Sequence, residues 1–174
     1  YVSNVTFIGN TFINNNDLHL VIKLKPPTFF SFNRNEFSQK KINRDKIALE
    51  SYYKSKGFLE ISITNNIVLE TDKYIHIKYF INEGKQFRLK QLDLYGNKLF
   101  DKESILSQFN IESNKDYYNP SQIRRKLQAL KREYLKNGKV DIAIMDEFEI
   151  DGRDVFARIN IYEGVTYHIR NITI

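Results

Sequence analysis

The chain has 174 residues, with 27 basic residues against 21 acidic ones, three histidines and no cysteine. The lack of cysteine excludes disulfide staples, a thiolate nucleophile and thiolate metal ligands. The net charge of +6 divides as 12 basic against 8 acidic residues up to Gln86 and 15 against 13 beyond it, so the excess lacks the one dense basic face of a nucleic-acid footprint.

A chain of this length fits one or two domains, and internal repetition decides for two. The stretch Leu89-Lys90-Gln91-Leu92-Asp93-Leu94-Tyr95-Gly96-Asn97 has a counterpart at Val2-Ser3-Asn4-Val5-Thr6-Phe7-Ile8-Gly9-Asn10. Both read as a strand running into a tight turn. The last six residues, Ile169 to Ile174, begin a third copy. The expected domains are therefore 1–86 and 87–167, with 168–174 as the first strand of a further, truncated unit. The chain opens at Tyr1 without methionine and contains neither a signal peptide nor an apolar run long enough to cross a bilayer, so it reads as a soluble piece of something longer.

After the Gly9-Asn10 turn, Asp17, Leu18, Val21 and Ile22 predict a short helix that ends before Pro26-Pro27. An irregular stretch follows, with Phe29, Phe30, Phe32 and Phe37 among polar residues. These rings suit packing under the loop or, alternatively, an exposed partner site. Ile42, Leu49 and Tyr53 predict a second helix that stops at Gly57. The period then changes to two: Leu59, Ile61 and Ile63 share one face, as do Ile75, Ile77, Tyr79 and Ile81 after a turn near Thr71-Asp72-Lys73. Glu83-Gly84 closes the unit. One face of this hairpin is apolar, and the two helices are the available cover for it.

The second unit follows in register. An offset of 87 carries Val5, Phe7, Gly9, Leu18 and Ile22 onto Leu92, Leu94, Gly96, Ile105 and Phe109. An offset of 81 carries Ile42, Leu49, Tyr53 and Gly57 onto Ile123, Leu130, Tyr134 and Gly138, and one of 80 carries Ile75, Ile77, Glu83 and Gly84 onto Val155, Ala157, Glu163 and Gly164. Six of the seven glycines fall in equivalent pairs, and the seventh, Gly152, marks the hairpin turn Asp151-Gly152. The long helix of this unit is the best marked. Asn119 caps it, Pro120 fits its first position and Gln122 suits a capping box. Ile123, Leu127, Leu130 and Tyr134 form its buried stripe, and Arg124, Arg125, Lys131, Arg132 and Lys136 its outer face. The predicted fold is α+β: tandem β-α-α-β-β units, each a three-stranded mixed sheet covered on one face by two helices.

The strand ending in Gly-Asn, the helix ending in Tyr-x-x-x-Gly (Tyr53 to Gly57, Tyr134 to Gly138), the hairpin and the closing Glu-Gly together resemble polypeptide-transport-associated (POTRA) domains. Those domains occur in tandem before the membrane barrel of BamA-like outer-membrane assembly factors. Lys139 departs from the pattern, following Gly138 where the family usually has an aromatic residue, as Phe58 is after Gly57. The first unit's loop between helices is also long. The resemblance implies a periplasmic array, the soluble part of an outer-membrane protein. It receives unfolded outer-membrane proteins, docks accessory assembly subunits and precedes a membrane barrel in the full-length chain. It also implies client capture by β-augmentation on the strand after the long helix, placed at Phe58-Leu59-Glu60-Ile61-Ser62-Ile63 and Val140-Asp141-Ile142-Ala143-Ile144. Phe29, Phe30, Phe32, Phe37, Arg124, Arg125 and Arg132 make a possible partner surface.

Other classes of function have less support. His19, His76 and His168 are scattered and lack metal-ligand spacing, and Asp146, Glu147, Glu149, Asp151 and Asp154 do not reproduce a calcium loop. No phosphate-binding Gly-rich loop or nucleophile elbow occurs, so neither an enzyme nor a cofactor is expected. KH domains share the element order and bind single-stranded nucleic acid, but their Gly-x-x-Gly lies between the helices. Here no glycine falls between Gly9 and Gly57 or between Gly96 and Gly138, so no nucleic-acid partner is expected. A purely structural spacer array remains the other alternative.

Overall fold

The Gly-Asn turns, helix caps and period-two strands fall into the same order twice in the computed structural model, which describes residues 1–26 and 37–168. Strand β1 (Val2–Ile8) leads to helices α1 (Asn15–Val21) and α2 (Gln39–Ser55), then to the hairpin β2 (Ser62–Leu69) and β3 (Ile75–Asn82). The second half repeats this with β4 (Arg88–Tyr95), α3 (Lys102–Phe109), α4 (Pro120–Lys136), β5 (Ala143–Asp151) and β6 (Asp154–Tyr162). The chain divides between Gln86 and Phe87 into two compact units. The expected third copy at Ile169–Ile174 lies outside the described residues.

Local chemistry sets the helix starts. The side chains of Asn14, Ser38, Asp101 and Asn119 each accept a backbone N–H from the first turn that follows. Each bond satisfies a donor that the helix itself leaves without a partner. Pro120 occupies the first turn of α4, where its missing N–H costs nothing. Replacing Asn119 with Ala should lower the stability of the second unit by about 1 kcal/mol. Its urea midpoint, followed by signals from that unit, is the check; an unchanged midpoint would mean that the cap contributes nothing.

Each sheet has the second hairpin strand in the middle. The orders are β1-β3-β2 and β4-β6-β5, with the outer pairs parallel on one side and antiparallel on the other. Val5 stands beside Ile77 and Phe7 beside Tyr79, and in the second unit Leu92 stands beside Ala157 and Leu94 beside Ile159. These residues are buried together with the helix stripes Leu18, Ile42, Leu49 and Tyr53, and Ile105, Ile123, Leu130 and Tyr134. Each unit is thus a three-stranded mixed sheet covered on one face by its two helices, the α+β arrangement that the periodicity predicts.

The paired helices are tied by polar groups of opposite sign at equivalent positions. In the first unit the buried Asp45 on α2 accepts the backbone N–H groups of Lys23 and Leu24, both at 2.9 Å, just past the end of α1. In the second, Lys126 on α4 donates to the Gln108 carbonyl at 2.9 Å near the end of α3. A carboxylate can take only donors and an ammonium only acceptors, so each selects a different group from the neighbouring helix end.

Candidate strand-addition edges

Because β3 and β6 are central, β2 and β5 have backbone partners, among the described residues, on one side only. The strand after each long helix therefore lies at a sheet edge, as expected, but it starts later than predicted and runs further. β2 begins at Ser62 and β5 at Ala143, so Phe58-Leu59-Glu60-Ile61 and Val140-Asp141-Ile142 precede the strands. Of the predicted edge residues, Ser62, Ile63, Ala143 and Ile144 lie in them.

The late start has a physical explanation. Gly57 ends α2 in the left-handed region, the Phe58 N–H returns to the Tyr53 carbonyl, and the Phe58 ring packs against Phe12 and Tyr53. Ile61 and Ile142 are buried in the chain's approach to the sheet. Their apolar character therefore imitates strand alternation within a turn. Residues 64–69 and 145–151 complete the edges and were absent from the predicted set. The turn Asp151-Gly152 carried the signal: an antiparallel partner of β6 must extend back from that turn, and Asp151 does stand opposite Asp154.

The other edge of the second sheet is partly occupied. Leu89 donates to the Asp116 carbonyl at 3.0 Å, Asn114 donates to the Leu89 carbonyl at 2.8 Å, and Tyr118 donates to the Phe87 carbonyl at 3.0 Å. The segment before α4 thus pairs with the start of β4, which leaves β5 as the longer open edge of that sheet. Its side facing the helices carries Ile144, Asp146, Phe148 and Ile150, in register with the buried Ile161, Ile159, Ala157 and Val155. The cover ends before the strand does. Phe148 is 58% exposed and Ile150 44%, with the Phe148 ring centroid 5.9 Å from that of the buried Tyr118.

The closing Glu-Gly pairs fix the opposite end of each scaffold. Glu83 is buried and accepts the Thr11 N–H and hydroxyl at 3.0 and 2.6 Å, the Phe12 N–H at 3.1 Å and the Tyr53 hydroxyl at 3.0 Å. Burial alone would push its carboxyl up, but these bonds outweigh it and hold the group below the usual carboxylate value. Burial and this same carboxylate raise the Tyr53 hydroxyl. Glu163 does the equivalent work, accepting the Lys98 and Leu99 N–H groups at 2.5 and 2.8 Å. It too is held low against the effect of burial, by these bonds and by the charge of Lys139. The Tyr134 hydroxyl lies near Glu163 without completing a hydrogen bond. Lys139, the departure from the aromatic position, lies with its ammonium 3.6 Å from Glu163 and 3.2 Å from the Gly164 carbonyl. The Phe58 ring occupies this position in the first unit, and a cation paired with the clamp carboxylate replaces it in the second.

The remaining predicted residues do not converge on one place. Arg124, Arg125 and Arg132 are exposed on α4. Phe37 is partly exposed, while Phe29, Phe30 and Phe32 lie outside the described residues. His19 meets the Phe7 ring edge-on, and His76 contacts Thr6 and Glu70. Among the described residues no group of three or more His, Asp or Glu side chains could hold a metal ion, and no helix is long and apolar enough to cross a membrane.

Known proteins share this architecture. The family described as "POTRA: Surface antigen variable number repeat" matches residues 1–84 and again 87–170. The outer membrane protein assembly factor BamA of Buchnera aphidicola is 30% identical over 183 residues, covering 98% of the chain and 29% of that protein. The chain thus spans less than a third of this relative. A crystal structure of Haemophilus influenzae BamA POTRA3-5 matches with a TM-score of 0.66 at 19% identity, over 95% of this chain and 66% of that one. BamA of Haemophilus ducreyi lacking POTRA domains 1-3 matches with a TM-score of 0.64 at 12% identity, over 92% of this chain and 29% of that one. At these identities the structural likeness speaks for the fold.

Proposed function

Since the chain belongs to the POTRA family and carries two of its repeats in tandem, we propose that it is the periplasmic receiving module of an outer-membrane protein assembly factor. Extended segments of unfolded outer-membrane proteins add to the open edges of β2 and β5. Other surfaces, including the exposed arginines of α4, dock accessory assembly subunits, and a membrane barrel follows in the full-length chain. The module works by binding, with no catalytic step and no cofactor.

The observation that supports this most is β5: nine residues paired with β6 on one side, with a row of backbone donors and acceptors on the other that no described strand pairs. Backbone pairing reads little sequence, which suits a receiver of many clients. The test is an amide NMR titration of the whole chain with an unfolded peptide of alternating aromatic and uncharged polar residues. Shifts should concentrate at Ser62–Leu69 and Ala143–Asp151. An absence of shifts in both strands, up to the solubility limit of the peptide, would overturn strand addition and leave docking and spacing as the role.

A further inference from the structure

We propose that the two open edges sort their clients by charge, with β5 preferring strands that carry Lys or Arg on one face and β2 indifferent to charge. This rests on the strand-addition reading above and names the class of segment that each edge receives. The two strands occupy equivalent places in their sheets yet differ in chemistry. β2 reads SITNNIVL and carries no charged side chain, whereas β5 reads AIMDEFEID and has Asp146, Glu147, Glu149 and Asp151, all exposed.

The register on β6 distributes these acids. Asp146 lies on the side facing the helices, while Glu147, Glu149 and Asp151 follow one another on the open face, about 7 Å apart along the strand. On the occupied side of β5, Arg158 stands opposite Glu147, with the charged groups 3.9 Å apart. Phe156 stands opposite Glu149, and Asp154 opposite Asp151. Among the described residues Glu149 and Asp151 form no ion pair. This face also holds a shallow concavity of about 370 Å³, whose lining includes Gln91, Glu147, Glu149, Phe156 and Arg158.

An added strand would take, on the open side of β5, the place that β6 holds on the other. Its side chains on this face would stand at cross-strand distance from three carboxylates. A Lys or Arg there repeats the relation that Arg158 already has with Glu147. An acidic side chain would instead face like charge at every step.

The experiment uses the whole chain and two peptides with the same aromatic positions, the intervening positions being all Lys in one and all Glu in the other. Amide shifts at 145–151 should report binding of the Lys peptide about tenfold tighter than that of the Glu peptide. The gap should narrow in high salt, and it should close in the triple variant Glu147→Gln, Glu149→Gln, Asp151→Asn. Shifts in β2 should not distinguish the peptides. Equal binding of both peptides at β5 would overturn charge sorting while leaving strand addition intact. Binding at β5 only after neutralisation would also overturn it, because the acids would then be closing the edge. If neither these peptides nor the uncharged one shifts β5 in either protein, it is the strand-addition reading itself that falls.

Discussion

Replacing Gly96 with Ala should unfold the second unit at much lower urea than the wild type, a loss of about 3 kcal/mol or more, while signals from the first unit keep their midpoint. Gly96 has φ +83°, and a Cβ there would lie 2.1 Å from the Ile161 carbonyl oxygen on the central strand. Backbone strain and a backbone clash therefore act together, and relief requires β4 or β6 to move out of register. Gly9 stands in the same relation to Ile81 in the first unit, at 2.2 Å. Gly152 separates the two effects: its φ is +61°, but a Cβ would meet nothing within 4 Å. Gly152→Ala should cost only the left-handed strain of about 1 kcal/mol. Equal losses for Gly96→Ala and Gly152→Ala would refute the clash.

Glu83→Ala should remove about 3 kcal/mol or more from the first unit, because Thr11, Phe12 and Tyr53 lose the acceptor on which their donors converge. Glu83→Gln keeps an acceptor oxygen but loses the charge, and should cost less. The same site predicts a pH dependence. The Glu83 and Glu163 carboxyls are both held below their ordinary value of 4.5 in the folded chain. A group depressed on folding binds its proton more tightly in the unfolded state. Its stabilisation is therefore full above the unfolded value and is lost as pH falls through the folded one. Urea unfolding from pH 7 downward should show wild-type stability dropping below about pH 5. The double variant Glu83→Gln, Glu163→Gln should fall less steeply, and parallel curves would show that these carboxylates are not clamps.

The edges on which the proposed function rests are held in place by these two features. The glycine lets the first strand turn tightly against the central strand, and the carboxylate fastens that turn to the end of the hairpin. Neither touches a client in the proposed mode. Their substitution should therefore act on binding only through the stability of the sheet, whereas neutralising Glu147, Glu149 and Asp151 should alter client choice with the sheet intact.

The repeat, the element order and the helices are legible in the order of the residues. These depend on short-range relations: a cap bonds to an N–H three residues on, a buried stripe recurs every three or four residues, and a left-handed glycine ends the turn before it. Asn119, Pro120 and Gly138 accordingly bracket α4, and Ile123, Leu127, Leu130 and Tyr134 are buried on it. Where the edge strands begin is set by packing, because Ile61 and Ile142 are apolar for burial at the end of a turn, and local alternation cannot distinguish that from a strand. Packing likewise lays the segment at Asn114–Tyr118 along part of β4 and lets Glu83 and Glu163 clamp turns 71 and 64 residues away. Those bonds join groups remote in the chain, and their partners are set by the packing of helices on the sheet, which no local pattern encodes.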